Sequence, residues 1–114
     1  MNPPFSPARR IGQLIAISGQ VGARDGTLVT GGFAAELDQA LENLGRVLAD
    51  AGIERRNVIK VNVYLTDIAD WQRLNAPYAA FFGEPYPART ALAVVALPMR
   101  AHVEIEAWAV TTPG

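Results

Sequence analysis

Cysteine is missing from this chain, and that absence removes disulfide staples, thiolate nucleophiles and cysteine-ligated zinc or iron–sulfur centres together. Stability must then come from packing. Histidine is almost missing too. The one histidine, His102, has no second imidazole to share a metal with and no thiol to activate, and it is read as structural. The two serines, Ser6 and Ser18, lie outside any Gly-x-Ser-x-Gly setting, so a serine hydrolase finds no support either.

Neither sign of charge is in excess. A net charge of −1 supplies no extended basic field, which argues against nucleic acid as a partner. No apolar run reaches the ~20 residues that span a bilayer, the longest candidate being Thr90–Met99 with a proline inside it. A membrane protein is not expected. Leu14–Ile17, which follows a first ten residues rich in proline and arginine, is far shorter than a signal-peptide core, and a cytoplasmic location is expected. Gly31-Gly32 has neither the Gly-x-Gly-x-x-Gly spacing nor a phosphate-binding lysine. With no repeat, linker or low-complexity tract, the 114 residues are expected to form a single domain, 1–114.

What is present is patterned apolar sequence, half of all residues being hydrophobic. Gly12-Gln13 sits between β-prone runs at Arg9–Ile11 and Leu14–Ser18 and predicts a hairpin, and Asp25-Gly26 predicts a second tight turn before Thr27–Val29. Leu37, Leu41, Leu44 and Leu48 recur at three and four residues, which predicts a helix over Ala34–Ala51 stopped at Gly52, with Glu36, Asp38, Glu42 and Arg46 on its wetter faces. Val58–Thr66 alternates, with Ile59, Val61, Val63 and Leu65 on one side and Lys60, Asn62, Tyr64 and Thr66 on the other. Asp67 can cap a second helix whose apolar stripe is Trp71, Leu74, Tyr78 and Phe81, broken near Asn75 by Pro77. Strands follow at Thr90–Ala96 and His102–Val110, the latter turning Glu104, Glu106 and Trp108 to one face. The order implies an α+β fold, a mixed sheet with both helices on one face. The other face then carries Asn62, Tyr64, Trp108 and two glutamates, too aromatic for water and too polar for a core. Burial against other subunits reconciles those features.

The residues left to carry chemistry are an arginine and carboxylates. Arg89 follows the stiff Tyr86-Pro87-Ala88 segment, where a guanidinium can be aimed to grip a carboxylate through two parallel hydrogen bonds. By residue type alone the plainer reading of Arg89 is a solvated loop arginine, and that of Glu104 and Glu106 is exposed strand charges. A resemblance adds to this. Tyr86-Pro-Ala-Arg-Thr-Ala-Leu-Ala-Val-Val-Ala-Leu-Pro98 and Val103-Glu-Ile-Glu-Ala107 resemble the C-terminal signature of the Rid (YjgF-type, reactive intermediate deaminase) family. Ile17-Ser-Gly-Gln20, Ala40-Leu-Glu-Asn-Leu44, Val58-Ile-Lys-Val61, Val63–Asp67 and Asn75–Phe82 are similar to its pattern in the same order, so nearly the whole chain is covered.

The resemblance implies a chorismate-mutase-like subunit in a homotrimer with ligand clefts between subunits. It also implies hydrolysis of enamines or imines of the 2-aminoacrylate type to 2-oxo acids and ammonia, without cofactor or metal. Carried over residue by residue, Arg89 resembles the arginine that grips the substrate carboxylate and Glu104 the glutamate that positions or activates water. Ser18, Gly19 and Asn75 match further cleft positions. Two departures stand out, Phe5 where deaminase members have tyrosine and Ala91 where they have cysteine. They keep two alternatives open: a non-catalytic module that binds small carboxylates, and a deaminase of another substrate such as an aminomuconate.

Overall fold

In the computed structural model, which describes residues 3–111, the chain forms a five-stranded sheet with its helices layered on one side. Strands β1 (Ala8–Ile11) and β2 (Leu14–Val21) make the expected hairpin. Strands β3 (Ala23–Arg24) and β4 (Thr27–Leu28) flank Asp25-Gly26 as a separate ribbon. Helix α1 (Gly32–Asp50) and strand β5 (Val58–Leu65) follow, and then a 3-10 segment (Ile68–Leu74) continues into helix α2 (Asn75–Phe82). Strands β6 (Ala88–Ala93) and β7 (Val103–Val110) complete the sheet, ordered β1-β2-β7-β5-β6. Its neighbours are antiparallel except β5 and β6, which a crossover through α2 joins in parallel. The fold is α+β, as the sequence implies.

One core lies between the sheet and the helices. Leu37, Leu44 and Leu48 of α1 are buried against Ile15 and Ile17 of β2, Val61 and Val63 of β5, and Val103 and Ile105 of β7. Each such side chain contributes ~1.5–3 kcal/mol of burial free energy, which makes the leucine spacing the main positional signal for α1. Asp67 caps the 3-10 segment as expected, accepting from the Ala69 N–H at 2.9 Å, and the change to α geometry falls at Asn75, where Pro77 had pointed to a break. Among the described residues, no helix is long and apolar enough to cross a membrane.

Four expectations need correction. Ile59 does not face the core: the β5–β7 ladder shifts register between Val58 and Lys60, so Val58 takes the inward place and Ile59 is exposed. The inward stripe of the second helical region is Leu74, Tyr78 and Phe82, spaced by four, while Trp71 lies in the 3-10 segment and falls out of that spacing. Phe81 is only partly buried, beneath the Arg55 guanidinium 3.9 Å above its ring. Strand β6 covers Ala88–Ala93 and not Thr90–Ala96, because its register partner β5 ends opposite Ala93 at Leu65.

The fourth is Glu36, which is buried and not on a wet face. Its carboxylate accepts the His102 backbone N–H at 2.7 Å and pairs with the His102 ring Nδ1, tying α1 to the start of β7. That close packing depends on Gly22, at whose position an added Cβ would lie 2.5 Å from the Glu36 backbone. Backbone atoms cannot yield as a side chain does. Gly22→Ala is therefore expected to destabilise the fold by about 2–3 kcal/mol, read as a lower urea midpoint at unchanged slope; an unchanged midpoint would refute the contact.

Candidate active site

Register decides where the sequence-predicted residues go. In β6, Arg89 pairs with Val61 and Ala91 with Val63, so both leave the sheet on the side covered by helices. The Arg89 Nη2 donates to Asn75 Oδ1 at 2.8 Å, and its guanidinium lies over the rings of Tyr78 (4.9 Å) and Trp71 (5.2 Å). Asn75 opens α2 and Tyr78 lies three residues on, so one turn of helix supplies both the amide and a ring. Tyr86 and Pro87 complete a recess of about 310 Å³ beside the guanidinium. Burial, opposed by the Arg89 charge, pushes the Tyr78 hydroxyl up to about 12. Among the described residues, Arg89 is paired with no carboxylate. A part-buried cation held by a neutral amide and two aromatic rings is a ready receptor for a carboxylate.

Glu104 leaves the sheet on the opposite, uncovered side. It sits across from Tyr64 of β5 and Val21 of β2, next to the place where the β2–β7 register shifts between Ile17 and Gln20. Gly19 lies in that irregularity. A Cβ added to Gly19 would come within 2.7 Å of Glu104 Oε2, so the bare backbone is what leaves room for the carboxylate. Burial, and after it the charge of Glu106, holds the Glu104 carboxyl above its ordinary range. Arg89 does not oppose this, because it lies on the other face. Ser18 donates its hydroxyl to the Ser6 carbonyl at 2.6 Å and its N–H to the Pro7 carbonyl at 2.9 Å, binding the N-terminal segment to β2. Phe5 is exposed there, lining a recess of about 410 Å³ with Ser18, Arg9, Glu106 and Trp108.

One chain thus gathers the sequence-predicted residues into two groups. Arg89, Asn75 and Ala91 are on the helix side; Phe5, Ser18, Gly19 and Glu104 are on the bare side. Sequence reasoning missed the aromatic neighbours of Arg89, having assigned Trp71 and Tyr78 to a core stripe; the signal available was their position within four residues of Asn75.

The sequence model described as "Endoribonuclease L-PSP" matches residues 2–111. The chain belongs to this YjgF/Rid family. Human 2-iminobutanoate/2-iminopropanoate deaminase is 44% identical over 112 residues, 96% of this chain and 82% of the human protein. The bovine protein of the same name is 46% identical over the same shares. Among solved structures, RidA from the Antarctic bacterium Psychrobacter superposes with a TM-score of 0.91 at 39% identity, covering 96% of this chain and 89% of that one. The YjgF gene product of E. coli superposes at 0.88 and 32%, with the same coverage. The family's overall fold is therefore this chain's fold.

Proposed function

We propose that this protein hydrolyses 2-imino acids, and the enamines that tautomerise to them, to 2-oxo acids and ammonia, as a single-domain subunit of a homotrimer. The observation that carries the reading is the unneutralised Arg89 guanidinium, aimed and held, in a chain whose relatives are named as imine deaminases. The substrate carboxylate docks on Arg89 and fixes the C=N carbon. Water beside Glu104 gives up a proton to it and attacks that carbon, forming a carbinolamine. The proton held by Glu104 passes to nitrogen, and the carbinolamine hydroxyl proton follows it through Glu104 as the C–N bond breaks and the C=O bond forms, leaving the 2-oxo acid and ammonia. Placement with one general base, worth ~10²- to 10⁴-fold, suffices for an imine that also hydrolyses unaided.

Because Arg89 and Glu104 leave opposite faces of the sheet, the complete site takes Arg89 from one copy and Glu104 from the next. The bare face supports this, with Trp108, Tyr64 and Asn62 presented together and Leu14 and Leu92 exposed nearby. Trp and Tyr are what a subunit interface favours at its centre. Phe5 contributes no hydroxyl and Ala91 no thiol, so carboxylate capture by Arg89 dominates recognition.

The direct test generates imino acids in place with an amino acid oxidase and follows 2-oxo acid release. Acceleration by the protein is expected. Tight carboxylate binding without acceleration for any side chain would leave a binding module instead.

Gly19→Ala gives a narrower check. The added methyl displaces the far end of a flexible glutamate and not backbone, so the expected stability loss is below about 1 kcal/mol while kcat falls about 10²-fold. Wild-type kcat in a folded Gly19→Ala protein would show that the Glu104 carboxylate is not needed where it lies.

A further inference from the structure

Two glutamates share the bare face of β7, and they are held differently. Glu106 Oε1 accepts from the Asn62 amide at 3.2 Å and from the Tyr64 hydroxyl, both on β5. Glu104, two residues earlier, has no hydrogen-bond partner for its carboxylate among the described residues, although Tyr64 is its direct cross-strand neighbour. Tyr64 thus turns away from the residue opposite it and binds the next carboxylate along. One glutamate is anchored and the other is left free.

We propose that Glu106, fixed by Tyr64 and Asn62, is a positioning residue for the hydrolysis, keeping a negative charge beside Glu104 that makes Glu104 the stronger base. The inference rests on reading Glu104 as the base. Like charges on neighbouring strand positions oppose each other's ionisation, and the two donors from β5 hold the Glu106 carboxylate in place beside Glu104. The tyrosine supports the assignment: its bond to Glu106, then burial, then the charges of Glu106 and Glu104 push its hydroxyl up to about 12, so it remains a donor throughout the working range.

The other groups facing Glu104 do not cancel the effect. On β2 its neighbours Val21, Gln20 and Gly19 are uncharged. Lys60 of β5 lies farther along the face and donates to Thr90 Oγ1 at 2.7 Å. Arg9 of β1 lines the recess next to Glu106 and not Glu104. The helices pack on the opposite side of the sheet.

The test compares wild type with Glu106→Gln, Glu106→Asp and Tyr64→Phe by two readouts: the pH profile of kcat/KM for imine hydrolysis, and carboxyl-carbon NMR titration of Glu104. Glu106→Gln is expected to move the acid limb and the Glu104 midpoint together to lower pH, burial still holding the midpoint above the ordinary carboxylate range. The plateau kcat should fall about threefold, as a weaker base requires. Glu106→Asp restores both, and Tyr64→Phe, which keeps the charge, leaves the midpoint raised. A Glu104 midpoint that stays in place in Glu106→Gln, or that Glu106→Asp fails to restore, overturns the proposal. The titration needs no substrate, so absence of turnover in wild type would overturn the proposed reaction while a moved midpoint still upheld the coupling of the two carboxylates.

Discussion

Arg89→Ala is expected to remove both imine hydrolysis and the binding of small carboxylates, whereas Glu104→Gln is expected to keep binding and lose turnover. The difference follows from what each side chain offers. Arg89 supplies a guanidinium already steadied by Asn75 and the rings of Tyr78 and Trp71, so little rotamer freedom is lost when a carboxylate docks. Losing a charge-assisted bidentate contact of this kind costs about 3–5 kcal/mol, or two to four orders of magnitude in kcat/KM. Arg89→Lys should recover little of it, since an ammonium reproduces neither the fork nor the stacking. Glu104→Gln keeps size and shape but has no basicity, so KM stays near wild type while kcat falls about 10²- to 10⁴-fold. Steady-state kinetics on imino acids generated in place, with calorimetric binding of a 2-oxo acid, separate the two. Equal activity in wild type and both variants would sink the mechanism.

That contrast uses two residues that sequence pattern singled out unequally well. Period-two alternation placed Glu104, Glu106 and Trp108 on one face of β7, and leucine spacing placed α1, because in both cases burial of one side leaves a repeating trace in the chain. Ile59 broke its pattern through a register shift, a property of the pairing of two strands and not of either alone. Glu36 broke its pattern because a partner 66 residues away, His102, makes its burial tolerable. The largest gap concerned Arg89. That its strand runs parallel to β5, with Arg89 level with Val61, is what sends its side chain to the helix side, away from Glu104. Motif order along the chain carries no trace of this. Family resemblance singled out residues along the chain, and the sheet divides them between its faces.

The division leads to the sharpest expectation. When inactive Arg89→Ala and inactive Glu104→Gln are unfolded together in equal amounts and refolded, activity is expected to return to roughly one quarter of the wild-type level. A five-stranded sheet lies between the two side chains of one copy, and an imino acid of a few heavy atoms cannot touch both. In the proposed homotrimer, a working site joins the Arg89-bearing side of one subunit to the Glu104-bearing side of the next. In a randomly mixed trimer, half of the first sides keep Arg89 and half of the second keep Glu104, and their coincidence gives the fraction. Were both groups to act from one chain, no mixture of the two variants would contain an intact site. Mass measurement in solution confirms that mixed trimers have formed, and such trimers without activity would show that a single subunit holds the whole site. A monomeric mass for the wild type would overturn the shared site at its root, since neither face alone carries both the carboxylate receptor and the base.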